Sequence, residues 1–275
     1  MGCTLVIDTS YGSTVGVVGH EPIVETDSRT HVERLQVNIS RAVEEAGYAP
    51  RDIDTVIVGT GPAPFTGLRA GIVAAKALAF ATGAKLIGHN VLEPQMRWNI
   101  IRRSAADASE EPQTCHVLTL AVNDARRKQL YFALYAGPFG ADDSADGSDE
   151  SRGAPTRPLI AMDIDYPTSI IERVNATVRE YAATVGGEIV VDIIGHGATK
   201  YAEVLHGIDH LGDVTDASVL DQGRQGIGIF ASDAEAAYAR NPETPIEPLY
   251  LRRPDAEVPA PLKHVLGHEG AGRKD

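Results

Sequence analysis

The order of apolar segments constrains the fold of this chain more than any other feature of its sequence. Between residues 4 and 26, three short apolar runs alternate with polar turns, which predicts an antiparallel meander of three strands. Helical and strand-length segments then alternate: a helix ending before Gly47, a strand over 53–58, a helix over 66–82, a strand over 85–88 and a helix over 91–103. A meander that continues into such βα units predicts a mixed sheet with helices on its faces.

The first predicted helix carries a signal at each end. Thr30 and Glu33 have the spacing of a capping box, in which each side chain accepts a hydrogen bond from a backbone amide of the first turn. Gly47 stands where a left-handed residue commonly terminates a helix. We therefore expect the helix to begin at Thr30 and to end just before Gly47.

The second half of the chain repeats the pattern more weakly. Its predicted elements are strands over 116–122 and 130–136, a helix over 169–183, a strand over 189–194, and helical segments over 199–205 and 229–240. We interpret them as a shortened duplicate of the first lobe, which places the lobes at 1–105 and 106–252. The acidic loop 137–158 and the tail 253–275 are rich in Gly, Ser, Pro and charge, so we expect both to be disordered.

Composition excludes several classes of protein. Against 25 Lys and Arg stand 38 Asp and Glu, a net charge of −13, so the chain has no general electrostatic attraction to nucleic acid or to anionic membranes. Two cysteines are too few for a disulfide framework. No apolar run approaches the roughly 20 residues of a membrane span, and Met1 leads directly into a predicted strand. These features predict a soluble cytoplasmic protein.

Asp8, Thr9 and Ser10 end the first predicted strand and are the first candidate site. A carboxylate beside two hydroxyls can hold a magnesium-bound water and donate hydrogen bonds to phosphate. The same residues suit an ordinary polar turn, in which Asp8 accepts hydrogen bonds from nearby backbone amides. Both interpretations stay open on the sequence, and the polar turn is the commoner of the two.

A glycine- and proline-rich loop opens the second helix. Residues 59–71 read Gly-Thr-Gly-Pro-Ala-Pro-Phe-Thr-Gly-Leu-Arg-Ala-Gly and lie between a buried strand and a helix start, where anions commonly bind. The lysine of a Walker loop is missing, and the prolines remove backbone donors. A tight strand-to-helix connection therefore explains this loop at least as well as a ligand site.

The helix over 66–82 is apolar round most of its circumference, although one sheet face covers only one side of a helix. The remaining apolar surface predicts a partner, unless the neighbouring helix covers it. We assign the interface to six residues of the first two helices: Leu35, Ile39, Leu68, Ile72, Ala75 and Ala79. Small residues such as Gly71 permit close helix–helix approach, so two copies of the chain would build a four-helix contact.

Several segments together resemble the TsaB (YeaZ) family. They are residues 7–10, 31–35, 59–71 with the core Pro-Phe-Thr-Gly-Leu-Arg, 75–78, 90–93, 124–127 before Tyr131, and 248–252. The resemblance extends from about residue 4 to residue 252 and is looser in the second half. It implies an α/β protein of the actin-like, sugar-kinase ATPase (ASKHA) fold, with two ribonuclease-H-like lobes, mixed sheets and flanking helices around a cleft.

The same resemblance implies a set of partners. The chain would bind the ligase TsaD directly through its first two helices, and would form a homodimer through that surface when TsaD is absent. It would join a complex that includes the ATPase TsaE and transfers threonylcarbamoyl to the adenosine next to the tRNA anticodon. ATP and metal are expected on the partner subunits rather than on this chain, and its contact with tRNA is expected to be indirect.

The resemblance further implies that this copy is not the catalyst. TsaD carries a His-x-x-x-His metal pair, and alignment on Leu92 and Glu93 places Val91 and Gln95 at the two ligand positions. Neither side chain is a metal ligand, so we assign no catalytic residue and no metal site. Two alternatives stay open: an independent ATP-dependent kinase or hydrolase that uses Asp8, and a glycoprotease, for which the sequence offers no recognisable nucleophile.

Overall fold

Two five-stranded mixed sheets form the frame of the protein, whose computed structural model describes residues 2–27, 30–106, 115–137 and 158–252. The first sheet contains β1 (Cys3–Asp8), β2 (Ser13–Val17), β3 (Ile23–Glu25), β4 (Ile53–Gly59) and β5 (Lys85–His89). The second contains β6 (Cys115–Asp124), β7 (Leu130–Ala136), β8 (Pro158–Asp165), β9 (Glu188–Ile194) and β10 (Leu211–Thr215). The acidic loop 137–158, except for its first and last residues, and the whole tail 253–275, both of which we expect to be disordered, lie outside the described residues.

The two sheets have the same topology. The first has the strand order β3-β2-β1-β4-β5, and the second, taken in the same sense, has the order β8-β7-β6-β9-β10. In each sheet the first three strands form an antiparallel meander, and the fourth and fifth strands are parallel to the first. The expected two-lobed α/β fold is confirmed. The second sheet is a full duplicate rather than a shortened one, because β8 and β10 complete it.

Within the described residues, six α-helices cover the sheets. They are α1 (His31–Glu45), α2 (Phe65–Thr82), α3 (Glu93–Ala106), α4 (Pro167–Val185), α5 (Ala202–Leu205) and α6 (Gly223–Arg240). Helices α1 and α2 pack side by side on one face of the first sheet, and α6 packs on the opposite face. Helix α3 covers the second sheet and contacts α6. Packing therefore crosses the lobe boundary expected near residue 105, and the boundary itself stays a prediction.

One of the two end signals of α1 is wrong. Thr30 precedes the helix, but its backbone is close to helical (φ −112°, ψ −15°) and its side chain makes no capping hydrogen bond. A side chain that caps a helix start needs an extended backbone, which Thr30 lacks. At the other end Gly47 has a φ of +82°, and the amides of Gly47 and Tyr48 donate to the carbonyls of Glu44 and Val43. These are the bonds of a Schellman motif, so the predicted helix end is confirmed.

Helix α2 is long and apolar enough to span a membrane by length and composition alone. One side of this helix nevertheless packs on the first sheet, where Leu68, Ile72 and Ala75 join the core of the lobe. The opposite side carries the charged residues Arg69 and Lys76, both exposed. Packing on the sheet therefore accounts for the apolar residues on one side of α2 only.

Candidate functional site

The six residues assigned to the partner interface lie in the first lobe's own core. Leu35, Leu68, Ile72, Ala75 and Ala79 are buried beside strand residues of the first sheet, and Ile39 is half-buried against the same cluster. Their assignment to a contact surface is wrong, because a side chain that already packs on the sheet cannot also reach a second protein. Gly71 is likewise buried, and a Cβ there would lie 2.3 Å from the hydroxyl oxygen of Thr9 rather than against another copy of the helix.

The opposite side of α2 carries exposed apolar residues. Phe65, Val73 and Phe80 are 53%, 65% and 92% exposed, and they lie on one stripe of the helix together with Arg69 and Lys76. On the neighbouring helix α1, Val37 is 58% exposed. We call Val37, Val73 and Phe80 the helical face. An uncovered apolar surface is therefore present on these helices, as predicted. It lies on the opposite side of each helix from the six residues that were assigned to it.

The turn after β1 is held by its own side chains. The buried carboxylate of Asp8 accepts hydrogen bonds from the backbone amide of Ser10 (3.1 Å) and from its hydroxyl (2.7 Å). Burial raises the pKa of Asp8, and the bonds from Ser10 only partly offset this effect. Thr9 donates its hydroxyl to the carbonyl oxygen of Gly67 in α2 (2.8 Å). These are the bonds of a structural polar turn, and Thr9 also fixes the start of α2 to the end of β1.

The cavity between the lobes beside Asp8 is nearly filled. The cavity beside Asp8 has a volume of only about 20 Å³. About 10–15 Å³ is enough for one water molecule, whereas small-molecule sites usually measure about 300–1,000 Å³. Tyr11 helps to close the cleft, because its ring stacks on the imidazole of His196 with ring centres 3.7 Å apart. The cavity beside Asp8 is therefore too small for a nucleotide in this arrangement of the lobes.

His196 is held in that position by an acidic partner. Its Nε2 atom lies 3.1 Å from a carboxylate oxygen of Asp221. Burial raises the pKa of Asp221, but the hydrogen bond and the charge of His196 outweigh burial, so that this pKa is lower than its ordinary value. The pair stabilises the closed cleft from the side of the second lobe.

The loop after β4 connects the two lobes. Residues 60–63 are buried. The side-chain amide of Asn123 donates to the carbonyl of Pro62 (3.1 Å), and the hydroxyl of Tyr131 donates to the carbonyl of Ala63 (3.2 Å). Both donors belong to the second sheet. The loop therefore acts as a structural connection, which is one of the two interpretations that its sequence left open.

The two positions aligned with the metal ligands of TsaD have structural contacts. Val91 is buried in an apolar cluster with Ile57 and Phe230. Gln95 is also buried, and its side chain donates to the carbonyl of Val91 (2.9 Å) and accepts from the amide of Val219 (2.9 Å). Among the described residues, no group of three or more His, Cys, Asp or Glu side chains is arranged to hold a metal ion.

The turn between β6 and β7, part of which belongs to the segments that resemble the TsaB family, was not assigned as a candidate site from the sequence, yet its backbone is unusual. Arg126, Arg127 and Lys128 have φ values of 62°, 50° and 62°. This left-handed conformation costs residues other than glycine about 1–2 kcal/mol each. All three residues are exposed, and Arg126 lines a concavity of about 220 Å³ that also contacts Phe65. The available signal was a run of three cations in a chain of net charge −13.

Comparison of sequences relates the chain to tRNA-modifying proteins. The family model described as TsaD, tRNA N6-adenosine threonylcarbamoyltransferase, matches residues 18–149, just under half of the chain. An uncharacterized protein of Mycobacterium tuberculosis is 36% identical over 138 residues, which are 48% of this chain and 58% of that protein. The tRNA N6-adenosine threonylcarbamoyltransferase of Cereibacter sphaeroides is 43% identical over 70 residues, 26% of this chain and 19% of that enzyme. The matches thus span from a fifth to little more than half of these relatives.

Comparison of structures covers nearly the whole chain. YeaZ from Pseudomonas aeruginosa matches with a TM-score of 0.59 and 21% identity over 91% of this chain and all of that one. A second solved protein, described as similar to the peptidase YeaZ of the same organism, matches with a TM-score of 0.58 and 20% identity over 92% of this chain. The fold is therefore the two-lobed ASKHA type that YeaZ adopts. With the TsaD family match, these neighbours are consistent with a member of the TsaB (YeaZ) family, as the sequence motifs predicted.

Proposed function

We propose that this chain is a non-catalytic subunit that binds TsaD and supports the transfer of threonylcarbamoyl to the adenosine next to the tRNA anticodon. The similarity to YeaZ and to TsaD supports a role in tRNA threonylcarbamoylation. The observation that carries the finer proposal is the uncovered apolar face of α1 and α2 in a protein whose cavity beside Asp8 has room for little more than one water molecule.

The helical face has the composition of a protein interface. Exposed aromatic and aliphatic side chains at its centre supply apolar area, and an aromatic anchor such as Phe80 is typical of residues that dominate binding energy. Polar and charged groups surround it, including Lys76 and the Arg41–Glu45 ion pair of α1 (2.9 Å). In this proposal TsaD covers the face in the complex, and a second copy of the chain covers it when TsaD is absent.

The small cavity beside Asp8 is the reason for assigning the chemistry to other subunits. Catalysis, ATP and metal belong in this proposal to TsaD and to the ATPase TsaE, and the complex acts in the cytoplasm. The experiment is copurification of the untagged chain with tagged TsaD, followed by reconstitution of tRNA threonylcarbamoylation with and without the chain. Stoichiometric copurification and a requirement for the chain are expected. Failure to copurify, with both proteins folded, would contradict the proposal.

An independent ATP-dependent kinase or hydrolase is the second candidate, because Asp8 lies at the carboxyl end of a central parallel strand, beside the cleft. Calorimetric titration of the isolated chain with ATP and magnesium separates the two. We expect no measurable heat of binding and no turnover, since the cavity beside Asp8 is too small for the nucleotide. Micromolar binding accompanied by hydrolysis would favour the enzyme.

Asp8→Asn tests the same point by mutation. Asparagine keeps an oxygen for the Ser10 amide, so we expect unchanged TsaD binding and unchanged activity of the reconstituted complex. Burial raises the folded-state pKa of Asp8, so the folded protein favours the protonated carboxyl. The stabilisation that this protonation supplies is present below the unfolded pKa of about 3.9 and is lost as pH rises through the folded pKa. The stability of the variant relative to the wild type should therefore increase between pH 4 and pH 7 in urea denaturation. An activity that disappears in Asp8→Asn would indicate a catalytic carboxylate.

A further inference from the structure

Cationic residues collect at one place on this acidic chain. Arg126, Arg127 and Lys128 are exposed in the turn between β6 and β7. Arg252, from the end of the described chain, approaches the same turn, where its guanidinium donates to the side-chain oxygen of Gln129 (2.7 Å). The nearest carboxylate of the turn, Asp124, is buried and accepts a hydrogen bond from Lys200 (3.0 Å). The exposed side chains of Arg126 and Lys128 therefore place positive charge at the surface of the turn.

Aromatic rings flank these cations on both sides. On the side of α2, Phe65 stacks on Tyr250 with ring centres 4.9 Å apart, and the guanidinium of Arg69 lies 3.8 Å from the centre of the Phe65 ring. On the side of the cleft, the stacked rings of Tyr11 and His196 leave Tyr11 exposed. The concavity of about 220 Å³ joins the two sides, because Tyr11, Phe65 and Arg126 all line it. Two rings and one cation therefore line this depression together with the carboxylate of Asp124, and Arg69 and Tyr250 adjoin it through their contacts with Phe65.

Single-stranded nucleic acid is recognised by this combination. Cations contact the phosphates, and exposed rings stack on bases that are not paired, without reading their sequence. Duplex RNA is recognised mainly by shape, and free nucleotides bind in deeper pockets. Resting on the proposed function, which makes tRNA the substrate of the complex, we propose that the patch formed by Arg126, Lys128, Arg69 and the rings of Phe65, Tyr250 and Tyr11 contacts unpaired nucleotides of the tRNA directly. This differs from the indirect contact that the sequence analysis expects.

The test measures RNA affinity and its salt dependence in the complex with TsaD. The probe is a fluorescently labelled anticodon stem–loop RNA, titrated by anisotropy at several salt concentrations. Arg126→Glu/Lys128→Glu should weaken binding at least tenfold and should flatten the slope of log affinity against log salt by about 1.4, that is about 0.7 for each lost phosphate contact. The matched control, Arg51→Glu/Arg179→Glu, changes the same number of exposed cations on other surfaces and should leave affinity and slope unchanged.

Tyr250→Leu separates stacking from charge. Loss of the ring should weaken RNA binding severalfold without changing the salt slope, because no phosphate contact is lost. Excess ATP and unlabelled duplex RNA of the same length are the competitors, and neither should displace the labelled probe as well as unlabelled stem–loop does. Competition by ATP at equal concentration would assign the depression to a free nucleotide and overturn the proposal.

Binding to TsaD is measured on the same variants, which keeps this proposal distinct from the proposed function. Weakened RNA binding with normal TsaD capture supports the patch. Unchanged RNA affinity in Arg126→Glu/Lys128→Glu, or an equal loss in the control variant, overturns it whether or not TsaD binds. If the wild-type chain fails to bind TsaD, the proposed function fails, and the same titration on the isolated chain still decides whether the patch binds RNA.

Discussion

Replacing Phe80 by aspartate should abolish both the self-association of this chain and its capture by TsaD, while leaving its melting temperature unchanged. Phe80 is 92% exposed near the end of α2, so aspartate there disturbs no contact within the described protomer. In a complex the ring would be buried, and a carboxylate in its place would lose the apolar contact and leave a charge without a partner. Hot-spot residues of this kind are worth at least about 2 kcal/mol, or roughly thirtyfold in affinity.

Two variants on the same helix give the controls. Leu68→Ala, on the side of α2 that packs on the sheet, should lower the free energy of unfolding by about 2–5 kcal/mol without changing the helical face. Lys76→Gln, on the exposed side, should change neither stability nor association strongly. Analytical ultracentrifugation and pull-down with tagged TsaD provide the readouts. A Phe80→Asp variant that still dimerises and copurifies would remove the helical face from the proposal.

Helix α2 shows which features of this protein can be predicted from its sequence and which cannot. Periodicity located the helix, and its excess of apolar residues correctly indicated a surface beyond what one sheet face covers. Hydrophobicity alone did not identify which residues lie on that surface, because Leu68 and Phe80 are equally apolar in the sequence; the charges of Arg69 and Lys76, which share a stripe with Phe80, were the signal that marks the exposed side. The side is decided by packing against β4, which is a tertiary contact.

Other elements were missed because their signal is weak where a strand lies at a sheet edge. Strands β8 and β10 are largely half-exposed, so their sequences lack the continuous apolar runs that identified β4 and β9.

The turn at 126–128 was missed for a different reason. Exposed cations between two strands are the ordinary composition of a hairpin, and their proximity to Phe65 and Tyr11 arises only when the two lobes are packed together.

The second large effect is expected at Asp192, in the middle of β9. Its side chain is fully buried and accepts hydrogen bonds from both Nε and Nη2 of Arg103 (2.5 Å each), from Asn99 (2.9 Å) and from the backbone amide of Asp213 (2.9 Å). Arg103 and Asn99 belong to α3, so this one carboxylate ties that helix to the second sheet. The loss of one partner from such a buried pair costs far more than the loss of a surface ion pair.

Asp192→Ala should therefore lower the free energy of unfolding by about 3–5 kcal/mol, measured by urea denaturation at pH 7. The buried amide of Asn99 loses an acceptor, the partly exposed Arg103 loses its ion-pair partner, and α3 loses its main polar contact with β9. Glu45→Ala is the control, because it breaks an exposed ion pair with Arg41 that is worth about 1 kcal/mol or less. A loss at Asp192 no greater than the loss at Glu45 would contradict the structure of this network.

The pH dependence of the same variant follows from the pKa of Asp192. Burial raises this pKa, but the hydrogen bonds from Arg103, Asn99 and the Asp213 amide outweigh burial, so the folded-state pKa is below its ordinary value. A carboxyl with a depressed folded pKa stabilises the protein above its unfolded pKa of about 3.9 and loses that contribution as pH falls through the folded value. The difference in stability between wild type and Asp192→Ala should therefore be constant from neutral pH down to about pH 5 and should shrink below pH 4. If the stability curves of wild type and Asp192→Ala stay parallel throughout the acid range, the carboxylate makes no net favourable interaction. In that case apolar packing alone holds α3 to the second sheet.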